Sequence, residues 1–174
     1  MDIAHAVKSV AKDADKFKIV TPDLHFKAME TQNLQKINKI IVHHSANDRA
    51  SDTAKSIHSE HLSSNGWAGI GYHFLIRADG TIEKGRPQSA VGSHCPGANT
   101  GSIGICLSGN FEKAMPAAVQ IEALIWLMAR LMKSYNIITV LPHSAYVATA
   151  CPGRFLRDML DDITAAARKY KEMI

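Results

Sequence analysis

The chain has 174 residues, the length of one compact domain, with 46% hydrophobic and 21% charged residues, a composition that excludes disordered, coiled-coil and collagen-like proteins. Its formal net charge of +4 suits an anionic partner but does not separate nucleic acid, membrane surface and cell wall. Three cysteines, Cys95, Cys106 and Cys151, are an odd number, so no disulfide framework is implied and a reducing compartment is expected at synthesis.

The predicted elements begin with Ile3, Ala6, Val7, Val10 and Ala11, whose helical spacing predicts a short amphipathic helix ending near Phe17. His5, Lys8 and Lys12 break this segment before any signal-peptide h-region can form, which predicts synthesis in the cytoplasm without a signal peptide. Pro22 and the polar run at 31–33 read as connection, so residues 1–36 are expected to be an N-terminal extension, partly helical, ahead of a domain over 37–174. The β-branched run Ile37–Val42 predicts a buried strand. Ser51 or Asp52 is the expected cap of a helix running to about Ser64, where Asn65-Gly66 stops it. Gly71–Arg77 and Thr81–Lys84 predict a hairpin around Ala78-Asp79-Gly80, and Ser102–Leu107 another buried strand. Pro116 opens the strongest helix, with Ile121, Leu124, Ile125, Met128, Met132 and Tyr135 on one stripe, and a last helix is expected from about Phe155 to Tyr170. The most apolar stretch, Ala123–Ala129, is far short of the ~20 residues that span a bilayer, so no membrane insertion is expected. Strands interleaved with helices define a mixed α/β class.

Candidate chemistry sits at strand ends and in loops. His43 and His44 close the first strand, His143 follows Leu141-Pro142, and Cys151 lies eight residues further on. Two imidazoles and a thiolate are a donor set for zinc, and three protein ligands leave a fourth position open, as in catalytic sites. The same residues are equally a strand-capping histidine, a loop histidine and a small buried cysteine, and spacing alone leaves both readings standing. Strand alternation turns His44 away from His43, and His73 away from Tyr72. His58 and His61 lie at i, i+3 without the HExxH pattern, so they are expected to be structural. Trp67, after Asn65-Gly66, is a candidate groove wall or a packing anchor.

Four stretches in order, IIVHHSA, GWAGIGYHFLIRADGTIEKGRP, VGSHCPGANTGSIGICLSGN and HSAYVATACPG, closely resemble the N-acetylmuramoyl-L-alanine amidase type 2 family, which includes phage endolysins and peptidoglycan recognition proteins. The resemblance covers roughly residues 37–160. It implies a central mixed β-sheet flanked by helices, with one zinc ion per chain in a surface cleft. His43, His143 and Cys151 match the family's zinc ligands, and Tyr72 matches the tyrosine beside the zinc water. Thr149 stands where phage amidases often place a lysine and catalytic recognition proteins a threonine; a hydroxyl donates a hydrogen bond but supplies no charge. His94 and Asn99 are expected to line the substrate groove.

The implied function is zinc-dependent hydrolysis of the amide between N-acetylmuramic acid and L-alanine in peptidoglycan, at the cell wall, reached in a phage context by holin-type release. Nucleic acid is not an expected partner. Two alternatives are a peptidoglycan-binding module without turnover and a hydrolase with Cys151 as nucleophile and His143 as base. No ligand or motif residue falls in the N-terminal segment, so removal of residues 1–30 is expected to leave catalysis largely intact.

Overall fold

The computed structural model of the protein describes residues 2–174. Its strands are β1 (Ile19–Val20), β2 (Lys39–His44), β3 (Phe74–Ile76), β4 (Ile82–Lys84), β5 (Ser102–Leu107) and β6 (Thr139–Pro142). They form one six-stranded sheet in the order β1-β4-β3-β5-β2-β6. Every pairing is parallel except the β3–β4 hairpin, so the sheet is mixed, as expected. The helices are α1 (Ile3–Lys12), α2 (Ala54–Ser63), α3 (Ala118–Ser134) and α4 (Arg154–Lys171).

The period-two alternation of strand side chains divides the core. Ile40 and Val42 of β2, with Ile103, Ile105 and Leu107 of β5, join the large cluster built with α3 and α4. Ile41, on the other face of β2, packs with Cys95 and Ala98, while Leu75 and Cys106 meet Ala54 and Ile57 of α2. His43 therefore projects on the α2 side of the sheet and His44 on the α3 side. The run Ala123–Ala129 is buried throughout, because α3 lies between the sheet on one side and α1 and α4 on the other. Among the described residues, no helix is long and apolar enough to cross a membrane.

Several boundaries differ from the sequence expectation. Helix α1 stops at Lys12, and Ala14–Lys16 form a separate 3₁₀ turn, so the helix is about one turn shorter than its apolar spacing suggests. The cap of α2 is Thr53, in a capping box with Ser56, rather than Ser51 or Asp52. Asp52 instead accepts hydrogen bonds from the Ser45 and Ser108 hydroxyls (2.5 and 3.2 Å), tying the loop after β2 to the end of β5. Strands β1 and β6 were not anticipated.

The N-terminal segment packs into the core of the domain. Val7, Val10 and Phe17 are buried in the same cluster as α3 and α4. Ser9 Oγ and Lys16 Nζ both donate to the carboxylate of Glu122 on α3 (2.6 and 2.9 Å). Burying three such side chains is worth roughly 1.5–3 kcal/mol each. Deleting residues 1–30 is thus expected to lower stability by on the order of 5 kcal/mol, a large part of the ~5–15 kcal/mol of an ordinary domain. Denaturant midpoints of the full and truncated chains check this; equal midpoints would show that the segment is dispensable after all.

Candidate active site

Parallel pairing explains how residues 100 positions apart meet. Val42 of β2 is the register partner of Pro142 of β6, and the next residue on each side is a histidine, His43 and His143. Both rings thus emerge at the carboxyl ends of neighbouring strands, the edge where open α/β sheets place their ligands. Their centroids are 4.5 Å apart.

Cys151 arrives from the connection between β6 and α4. Its N–H donates to Thr149 Oγ1 (3.2 Å), and its C=O accepts from Ser144 N–H (3.1 Å). Gly153, at φ +89°, lets the chain turn into α4 against Phe111; a Cβ there would lie 2.3 Å from the Phe111 carbonyl carbon. Cys151 Sγ accepts from the His44 N–H (3.4 Å) and lies 3.7 Å from His43 Nδ1. Ligand atoms of His43, His143 and Cys151 all lie within 4.8 Å of one another. Two ligands at about 2.3 Å (sulfur) and 2.0–2.1 Å (nitrogen) from one tetrahedral centre stand ~3.6 Å apart, so the Sγ–Nδ1 spacing fits a shared metal. Nε2 of His143 is buried and has no hydrogen-bond partner among the described residues. An orphaned imidazole nitrogen beside a thiol and a second imidazole is a fitting donor set for a soft divalent cation.

Burial holds His43 well below the usual histidine range, with His143 adding to the effect, and it lowers His143 as well, so both rings are neutral. Burial also pushes the Cys151 thiol up to about 12. In the protein alone the sulfur therefore keeps its proton; a coordinated cation reverses this, because a ligating thiol is deprotonated outright.

Tyr72 packs beside His43, ring centroids 5.1 Å apart. It packs against the cluster that holds Cys106, the register partner of His43 on β5. Burial, with Cys106 and Cys151 nearby, pushes the phenol well above its ordinary range, so it stays protonated and can donate. Trp67, 38% exposed, stacks edge-on against His61 at 4.7 Å, and His61 lies 5.7 Å from Tyr72. Thr149 is exposed at the rim.

His94 departs from its expected place. Only 6% exposed, it lies behind His43, with Nδ1 2.9 Å from His43 Nε2 and Nε2 3.2 Å from Ser102 Oγ. A ring enclosed there cannot line a groove. Asn99 uses its side-chain oxygen to accept the N–H groups of His94 and Cys95 (2.9 and 2.8 Å) and is itself half-buried. Ser102 was missed at the sequence level, and an isolated serine in a strand gives no signal that could have found it.

Four other histidines are backbone anchors. Nδ1 of His44, His58, His61 and His73 accepts the N–H of Phe111, Ile70, Gly71 and Gly104 respectively (3.1, 3.2, 3.0 and 3.0 Å). A backbone N–H only donates, so each ring is a neutral imidazole carrying its hydrogen on Nε2. Burial accordingly lowers His61 and His73 to about 4. The structural reading of His44, His58, His61 and His73 accords with these contacts.

Two imidazoles and a thiol converge at one strand edge, a donor set that could hold a metal ion. Residues 33–154 match the family model described as N-acetylmuramoyl-L-alanine amidase. The chain is 40% identical over 123 residues to an endolysin of Klebsiella phage KP32, covering 68% of this chain and 82% of the endolysin. Its fold superposes on the N-acetylmuramoyl-L-alanine amidase LysC from Clostridium intestinale with a TM-score of 0.77 and 38% identity, over 87% of this chain and 97% of LysC. It is also similar to peptidoglycan recognition protein LE, solved in complex with tracheal cytotoxin, a monomeric diaminopimelic acid-type peptidoglycan (TM-score 0.74, 26% identity, 82% and 92% of the two chains). That protein is from Drosophila melanogaster. The chain belongs to the N-acetylmuramoyl-L-alanine amidase family and is an amidase.

Proposed function

We propose that this amidase binds one zinc ion through His43, His143 and Cys151 and hydrolyses the amide between the lactyl group of N-acetylmuramic acid and L-alanine in bacterial peptidoglycan. One observation carries the reading: three donors of the right kind converge at one strand edge, and the buried Nε2 of His143 has no other partner among the described residues. Bound there, zinc supplies a Lewis acid and a water whose pKa falls from 15.7 to about 7.

The chain's own residues supply positioning and hydrogen bonding. Tyr72, held protonated, is placed to donate to the oxygen of the scissile carbonyl as negative charge gathers on it. Thr149 Oγ1 accepts from Cys151 N–H, which sets the angle of the third ligand and leaves the hydroxyl hydrogen free for substrate. Trp67 forms part of the groove wall, with His61 and Tyr72 continuing it toward the metal ligands. Asn99, its oxygen spent on the loop, keeps its amide hydrogens for a peptide carbonyl. The complex of protein LE with a peptidoglycan fragment supports peptidoglycan as the partner.

A nucleophilic Cys151 is disfavoured. Its thiol is raised rather than lowered, whereas a nucleophilic cysteine needs its thiolate favoured.

Chelation is expected to abolish the release of stem peptides from purified cell walls, and stoichiometric zinc to restore it. Mass spectrometry of the digest should show new L-alanine amino termini on intact glycan strands. Full turnover by metal-free protein would refute zinc dependence, and new reducing sugar ends would refute the amide as the target.

A further inference from the structure

We infer that a one-way chain of hydrogen bonds from His43 through His94 and Ser102 to the Asn99 carbonyl fixes the tautomer of His43, presenting its bare Nδ1 toward Cys151. His94 and Ser102 are then positioning residues for a metal ligand.

The direction follows from the last member. The backbone C=O of Asn99 has no hydrogen and can only accept, and Ser102 Oγ donates to it at 2.8 Å. A hydroxyl has a single hydrogen, so toward His94 Nε2, at 3.2 Å, Ser102 Oγ must accept. Nε2 of His94 therefore carries the ring's hydrogen, and Nδ1 is bare. A bare Nδ1 accepts, so the 2.9 Å contact is a hydrogen bond donated by His43 Nε2–H. The remaining nitrogen of His43, Nδ1, is left without a hydrogen, 3.7 Å from Cys151 Sγ. Reversing every bond would strip the Asn99 carbonyl of this partner and put a hydrogen on the nitrogen that faces the thiol.

The relay is enclosed and stiff. Ser102 is fully buried and His94 nearly so. The His94 ring lies against Gly92 and Gly104, where a Cβ would come within 2.4 and 2.6 Å of its Cδ2 atom. Asn99 grips the same loop a second time, through the two N–H groups its side chain accepts. A metal-binding histidine that donates its other N–H to a fixed acceptor is oriented and made more basic by it. Here the acceptor is another imidazole, whose own tautomer is dictated two bonds away.

The consequence for metal binding rests on the zinc reading; the tautomers do not. The test is a long-range 1H–15N correlation spectrum of the full chain labelled with 15N-histidine, recorded both zinc-loaded and chelator-stripped, at a pH where the buried rings are neutral. The expected result is hydrogen on Nε2 of both His94 and His43. Hydrogen on Nδ1 of either ring overturns the relay, even if the protein binds zinc stoichiometrically. The expected tautomers in a protein that takes up no zinc uphold the relay and refute the zinc reading instead. In Ser102→Ala, the His43 and His94 signals should become tautomer mixtures and zinc affinity, measured by chelator competition, should fall about 10–100-fold. The His73 signal, fixed by the Gly104 N–H and the Ala90 carbonyl, should not move and reports that the variant is folded. Unchanged tautomers and affinity in a folded Ser102→Ala overturn the proposal. If that variant does not fold, the tautomers of the unsubstituted chain decide alone.

Discussion

Cys151→Ser is expected to yield a folded protein that neither holds stoichiometric zinc nor cleaves the amide. Serine nearly matches cysteine in shape, and apart from the His44 N–H that donates to the sulfur, the contacts that place residue 151 do not involve its side chain. They are the Thr149 hydroxyl on its N–H, the Ser144 N–H on its carbonyl, and the positive-φ Gly153 that starts α4. The ligand changes in kind, however. A coordinating thiol is deprotonated outright, whereas a serine hydroxyl stays neutral near pH 7 and becomes a weak oxygen donor. Zinc affinity should drop by more than the ~10–100-fold that follows loss of an outer-sphere partner. Metal analysis, circular dichroism and muropeptide release measure the three parts of this expectation, and pull-down on insoluble peptidoglycan should be retained. Zinc and turnover both intact would mean that the third ligand is another residue. Zinc retained with turnover lost would restore the cysteine-nucleophile mechanism.

Tyr72→Phe should keep zinc, fold and KM and lose roughly 10²–10³ in kcat, the usual effect of removing one oxyanion donor. The split between the constants is the informative part. Its ring contact with His43 survives in phenylalanine, so ground-state packing changes little. As a donor to charge that gathers on the scissile carbonyl oxygen, the hydroxyl contributes in the transition state. A variant with near-normal kcat would remove Tyr72 from the mechanism. A raised KM with unchanged kcat would make it a substrate-binding residue instead.

Much of the fold was legible because it rests on local periodicity. The β-branched run before His43, the α3 stripe from Ile121 to Met132 and the Asn65-Gly66 stop after α2 all appear as anticipated. Strand alternation separated His43 from His44 correctly, since a period of two needs no tertiary information. Strands β1 and β6 were not legible for the opposite reason. One has two residues and the other ends in Pro142, and both lie at sheet edges, where pairing with a distant strand is what makes them strands.

The approach of His143 to His43 was likewise not deducible from spacing, because it follows from the Val42–Pro142 register. The motif resemblance supplied the pairing instead. His94 was misplaced because its environment depends on Gly92 and Gly104, whose missing side chains open a slot beneath the sheet surface that no periodicity reveals. The amphipathic stripe of α1 was legible, but a stripe shows only that a partner exists, not that the partner is the far end of the chain.

That last contact has a bearing on biosynthesis. Helix α1 packs against α4, so a helix synthesised early docks on one synthesised much later. Until residues 154–171 emerge, Val7, Val10 and Phe17 lack part of their final surroundings, and the apolar Ala123–Ala129 stretch lacks its cover. Contacts of such large sequence separation are entropically slow to form and leave apolar surface open to other chains meanwhile. The two halves of the active site share the delay, since β6, His143 and Cys151 arrive only shortly before α4. A nascent chain stopped short of Cys151 thus lacks the third of the converging donors, and one stopped short of α4 lacks the packing on which α1 and α3 rest.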